Sequence, residues 1–136
     1  MDKLLSDLKK LKDVYVETIE GKVGEELKVK MKLINSEEEA QVHAHASTFE
    51  QGLGYLYAIK KETICRAIVG LNGDDIPEYI DSEEKGEFTQ VERFSWLKKN
   101  VVSGWNQILI DEIYTHYAEL VNKLEERIKK DIKSEE

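Results

Sequence analysis

Between positions 27 and 33 the sequence LKVKMKL alternates, with Leu27, Val29, Met31 and Leu33 on one side of an extended chain and Lys28, Lys30 and Lys32 on the other. That period of two marks a half-buried strand. A largely β-branched run at 14–19 precedes it, and Gly21 and Gly24 lie between, so the pattern predicts a β-hairpin over 14–34. The lysine face is expected to meet water, either as a solvated edge that discourages strand pairing or as a docking strip for an acidic partner.

Beyond position 35 the spacing becomes helical. Asn35-Ser36-Glu37-Glu38-Glu39 predicts a helix start in which Ser36 accepts from the Glu39 N–H, Glu39 answers, and three carboxylates sit at the positive end of the dipole. Val42, Ala46, Phe49, Leu53 and Leu56 follow at helical spacing, with Gly52 and Gly54 marking a kink or a break. Leu53, Leu56, Tyr57, Ile64, Ala67, Ile68 and Leu71 then share one face, while Ala58, Cys65 and Val69 occupy the opposite one. One packing surface cannot cover both, so this helix is either central in the domain or offers its second face to another protein. Asn72 and Gly73 predict its end in a Schellman-like or tight turn, and Asp74-Asp75-Ile76-Pro77 bars its resumption.

Residues 78–87 are acidic and contain Gly86, which predicts a mobile loop with Tyr79 and Ile80 turned back to the core. Thr89-Gln90-Val91-Glu92 repeats the capping-box spacing and predicts a helix through Phe94, Trp96, Leu97, Val101 and Val102, punctuated by Ser103 and Gly104. A long final helix over 105–132 aligns Ile110, Ile113, Tyr117, Leu120, Val121, Leu124, Ile128 and Ile132. At the other end Leu4, Leu5, Leu8 and Leu11 describe a short amphipathic helix, without the continuous apolar stretch and cleavage site of a signal peptide. The expected fold is mainly α: a small N-terminal β-hairpin followed by a compact four- to five-helix domain with a long C-terminal helix. One domain is expected over 1–136, divided into an amphipathic segment 1–13, the hairpin 14–34, a helical core 36–133 and a frayed tail 134–136.

Length and composition narrow the function more than the fold. A chain of 136 residues that is 40% hydrophobic fits one core. Its formal net charge of −8 argues against nucleic acid or an anionic membrane surface as partner, since both are negative. No window approaches the roughly 18 consecutive apolar residues of a membrane span. The lone Cys65 cannot form an intramolecular disulfide, which agrees with a reducing compartment.

Candidate chemistry is thin. His43 and His45 stand two residues apart, about 200° around a helix, and have neither a cysteine pair nor a third ligand nearby. Asn72-Gly73-Asp74-Asp75 lacks the alternating ligands and the closing glutamate of a calcium loop, and Gly52-x-Gly54 lacks the third glycine and βαβ setting of a dinucleotide fingerprint. Cys65 falls inside the apolar helix, where an inert thiol is expected, and the carboxylates cluster at helix starts and loops. No catalytic residue, metal site or cofactor is expected, and the chain is not expected to be an enzyme.

The order of features resembles the tail or baseplate assembly chaperones of tailed bacteriophages. It is carried by the β segment KVKMKLI, the acidic helix start SEEEAQV, the stretch KKETICRAIVGLNGDDI and the terminal helix YAELVNKLEERI, over roughly residues 14 to 130. Most specific are Arg66-Ala67-Ile68, then Leu71-Asn72-Gly73 and Ile76. The resemblance implies a non-enzymatic, mostly helical protein that keeps a tape-measure, hub or tube component soluble in the host cytoplasm until tail parts polymerise. Client contacts are then sought at Tyr55, Ile59 and Val69, together with Trp96 or Trp105, and self-association of the chain is possible. The leucine-rich N-terminal helix lies outside the resemblance and leaves an alternative: a permanent subunit or adaptor of the tail, baseplate or neck, retained in the virion.

Overall fold

The alternating segment at 27–33 forms a strand, and the packing of everything else begins from it. The structure is a computed structural model that describes residues 1–10, 18–23, 27–49 and 52–134. A short helix α1 (Asp2–Lys10) opens the chain. Strands β1 (Thr18–Val23) and β2 (Leu27–Lys32) pair antiparallel from Thr18 opposite Lys32 to Val23 opposite Leu27. The hairpin expected over 14–34 is therefore present, although its first strand runs through Gly21 and the predicted positions 14–17 and Gly24 lie outside the described residues. Val29 and Met31 are fully buried, and the lysine face is paired: Lys30 Nζ lies 3.2 Å from Asp75 Oδ1 and Lys32 Nζ 3.4 Å from Glu38 Oε1.

Helix α2 (Ser36–Ala46) starts one residue earlier than its capping pattern suggested. Asn35 Oδ1 accepts from the Glu38 N–H at 2.9 Å and Glu38 Oε1 accepts from the Asn35 N–H at 3.2 Å. Asn35 has the extended backbone that a cap requires, at φ −84° and ψ 175°, and so takes the role predicted for Ser36. After Gly52, at φ +133°, helix α3 (Leu53–Ala67) begins, so the glycine pair marks a break.

Helix α3 stops sooner than expected. Its last residue, Ala67, is followed at once by strand β3 (Ile68–Leu71), which pairs antiparallel with β2. Ile68 and Val69 are β-branched and β2 presents an edge to pair with, so tertiary pairing overrides the helical apolar pattern. The register places Lys30 opposite Gly70 and Met31 opposite Ile68, leaving Val69 as the extra residue of a bulge. Asn72 and Gly73, at φ +52° and +88°, are not a helix terminus: they turn β3 into the two-residue strand β4 (Asp74–Asp75). Two successive positive φ angles are the hairpin turn that Asn-Gly favours. Asn72 also clasps β2, donating its N–H to the Lys28 carbonyl and accepting the Lys28 N–H at Oδ1, both at 2.8 Å.

The expected loop at 78–87 is a second hairpin, β5 (Tyr79–Glu84) and β6 (Glu87–Glu92), turned by Lys85 at φ +52° and Gly86 at φ +80°. An acidic composition hid a backbone ladder that needs few buried side chains. Ile80 is half-buried as expected, whereas Tyr79 is exposed. Thr89 sits in this ladder opposite Ser82, so the second predicted capping box does not form; helix α4 (Arg93–Asn100) starts directly after Glu92 without a side-chain cap. A 3-10 turn over Val102–Gly104 leads into α5 (Gln107–Ser134), whose start is capped by Asn106 Oδ1 accepting from the Leu109 N–H at 2.9 Å.

The class is thus mixed α/β rather than mainly α, although 62% helical: five helices, a three-strand antiparallel sheet extended by the short β4, and a separate hairpin, all among the described residues. Helix α3 packs against α2, α4 and α5, and α5 crosses β1. From Glu62 to Ile68 every residue is buried, which bears out a central position for this segment. Ile64, Ile68, Ile113 and Met31 meet in the core, each fully buried and contributing on the order of 2 kcal/mol by its removal from water.

Candidate functional site

The five residues proposed for client contact are all half-buried. Tyr55 and Ile59 lie one turn apart on α3, with the Tyr55 hydroxyl 3.5 Å from His43 Nδ1 and Ile59 packed on the core. Val69 is the bulged residue of β3, and its carbonyl accepts from the Ile76 N–H at 2.8 Å. Trp96 on α4 and Trp105 after the 3-10 turn both pack against the core. They are spread over several elements and present no single exposed patch.

Exposed apolar surface is found instead where α2 gives way to α3. Leu53 is 67% exposed, Leu56 52% and Tyr57 42%, and their three- and four-residue spacing places them on one face. Phe49, 46% exposed, lies beside them: its ring is 4.0 Å from where a Cβ on Gly54 would stand. The sequence pattern assigned Leu53, Leu56 and Tyr57 to the buried face shared with Ile64. That periodicity is real, but the first turns of α3 extend past the elements that cover its second half.

A second surface is a groove of about 440 Å³ between α2, α3 and α5. Ile34, Val42, Thr63, Tyr117 and Leu124 are its buried residues; Leu33, Ile59, Val121 and Ile128 are half-buried, and Glu39, His43 and Glu125 add polar groups. The Tyr117 hydroxyl accepts from the Ile34 N–H at 3.4 Å, and burial pushes its phenol up to about 12.

Further along α3 lies a buried polar centre that the apolar reading of that helix passed over. Glu62 Oε1 accepts from Lys98 Nζ at 2.8 Å, with Arg66 at 3.7 Å and His45 Nε2 also at 3.7 Å. Oε2 has no hydrogen-bond donor among the described residues. Arg66 donates to Gln41 Oε1 and to the Glu62 carbonyl and stacks on Phe94, 4.2 Å from the ring centroid. The signal was visible as a Glu-x-x-x-Arg pair inside an otherwise apolar helix. Arg66 also lines an open pocket of about 280 Å³, whose charged walls mix Lys32 and Arg93 with Glu37, Glu38, Glu78 and Glu92.

Cys65 is fully buried, and burial pushes its thiol up to about 12. His43 and His45 turn to different partners, Tyr55 and Glu62. Among the described residues no group of three or more His, Cys, Asp or Glu is placed to hold a metal ion, and no helix is long and apolar enough to cross a membrane.

Compared with protein-family models, curated proteins and solved structures, the chain matches none.

Proposed function

We propose that the chain is a non-enzymatic assembly chaperone of a tailed bacteriophage, which binds a tape-measure, hub or tube component in the host cytoplasm while the tail or baseplate forms. The single observation that carries the reading is the exposed apolar corner of Phe49, Leu53, Leu56 and Tyr57 on a domain with formal charge −8. Apolar side chains gathered at one surface mark a site for another protein, and the surrounding negative charge keeps the carrier itself soluble. The order of sequence motifs supplies the kind of client. Tyr55 and Ile59 continue from this corner along α3 as secondary contacts, while Trp96 and Trp105 pack against the core.

The test is pairwise co-expression with the tape-measure, hub and tube components of the same phage, followed by size-exclusion chromatography. One component is expected to stay soluble only with the chaperone and to co-elute with it. Leu53→Asp/Leu56→Asp should leave thermal unfolding nearly unchanged, because both positions are exposed, and should abolish co-elution. Unchanged co-elution with the double variant would remove this corner as the client surface. The permanent-subunit reading requires the chain in purified particles; its absence by mass spectrometry is the expected result.

A further inference from the structure

The outer face of the second hairpin sets each of its two aromatic rings beside a carboxylate. Side chains alternate along β5 and β6, so Ile80, Ser82 and Val91 turn one way and are half-buried, whereas Tyr79, Asp81, Glu83, Phe88, Gln90 and Glu92 share the opposite face and are all exposed. Tyr79 is 54% exposed and Phe88 81%. The register puts Tyr79 directly opposite Glu92 and Phe88 directly opposite Glu83, which brings the Cβ atoms of each pair to about 5 Å. The two pairs stand four residues apart along the ladder, about 13 Å, with Asp81 between them. Among the described residues none of Asp81, Glu83 and Glu92 is in an ion pair. Arg93, next in sequence, donates instead to the Ile76 carbonyl at 3.0 Å. From Tyr79 to Glu92 five acidic residues stand against the single Lys85, which concentrates half of the chain's formal charge of −8 in this hairpin.

We infer that this face binds an arginine-bearing segment of another protein, with one guanidinium on each aromatic–carboxylate pair. A guanidinium is planar, stacks on an aromatic ring and still offers the N–H groups of its edge to a carboxylate. The chain builds that arrangement within itself: Arg66 lies 4.2 Å from the ring centroid of Phe94 and 3.7 Å from Glu62 Oε1. On the hairpin the ring and the carboxylate lie side by side at the surface, so the guanidinium comes from a partner. Charge selects the occupant. A purely apolar segment would bury three carboxylates without a counter-charge, and an acidic one would be repelled. An extended segment with arginine at every second position projects them to one side, and its first and fifth residues are about 13 Å apart, the spacing of the two pairs. The face lies on other elements than the Phe49 and Leu53 corner and carries the opposite character, so the inference does not rest on the client reading.

The test is titration of the isotope-labelled full chain with the end-blocked peptide Arg-Ala-Arg-Ala-Arg, followed by NMR. Amide resonances of 79–92 should shift together and saturably. Tyr79→Leu/Phe88→Leu, which keeps apolar bulk and charge but removes both rings, should weaken binding by about fivefold or more, and Glu83→Gln/Glu92→Gln should do the same. Glu125→Gln/Glu126→Gln removes the same charge from exposed positions of α5 and should leave the affinity within about twofold. Leu53→Asp/Leu56→Asp should bind the peptide no less tightly than the unaltered chain. Absence of shifts in 79–92, an affinity unchanged without the two rings, or an equal loss on Glu125→Gln/Glu126→Gln, the mark of diffuse charge attraction only, would each overturn the inference. Loss of binding in Leu53→Asp/Leu56→Asp would overturn it too, by placing the peptide on the client corner.

Discussion

Glu62 enters the interior of a domain with few other buried charges, and the cations around it decide what that costs. A buried carboxylate loses its hydration, and Lys98, Arg66 and His45 replace part of it. Lys98→Met should therefore destabilise the fold by about 3 kcal/mol, since it removes the shortest contact and leaves the carboxylate buried. Adding Glu62→Gln should recover part of the loss, a coupling that urea unfolding of the two single variants and the double variant would measure. At this scale the sequence was partly legible. Spacing alone identified the apolar core positions Ile64, Ile113 and Tyr117, because burial of one helical face repeats regularly. It did not identify Glu62, because a charge in an apolar helix reads as solvent-facing until the elements on every side are known.

Elements were legible where one local signal acted unopposed and were misread where two signals competed. Alternation at 27–33 and the apolar stripe of α5 meet no rival pattern, and both elements form as expected. At 68–71, helical apolar spacing competes with β-branched residues that the edge of β2 can pair, and the strand wins through contacts distant in sequence. The same holds for Asn72-Gly73, a turn signal whose meaning depends on what precedes it. Gly70 shows how tightly that hairpin closes: a Cβ there would stand 3.1 Å from the Asp74 carbonyl oxygen and 3.3 Å from Asp75 Oδ1. Gly70→Ala should cost about 1–2 kcal/mol through overpacking. Gly104→Ala, with open space at the added Cβ and no positive φ, should be neutral or stabilising by at most about 1 kcal/mol. Thermal unfolding of the two variants compares them directly.

For the molecule as a whole, the presence of one central helical segment was legible in the sequence, but the exposed corner of α2 and α3 was not. Periodicity reports which residues share a face and is silent about where the covering elements end. Stability against alkali is also a property of the whole core. Burial raises Tyr117 from its ordinary 10.0 to about 12 and Cys65 from 9.0 to about 12, both favouring the neutral, protonated form. Their contributions are complete below the unfolded values and are lost as pH rises through the folded ones, so stability should fall between about pH 9 and pH 12. Tyr117→Phe should flatten the upper part of that decline in urea midpoints measured at successive pH values. A decline of unchanged slope would show that the phenol does not contribute.

The passage from Ala67 at the end of α3 to Ile68 at the start of β3 has no intervening loop. Its consequence is a fixed chain length. One residue inserted there would turn the helix by about 100° against its neighbours, or move each following strand side chain to the other face. At Lys85 and Gly86 the same insertion would only enlarge an exposed turn. Descendants of this sequence are therefore free to vary in length at the tip of the second hairpin, while the helix-to-strand seam admits substitution but neither gain nor loss of a residue.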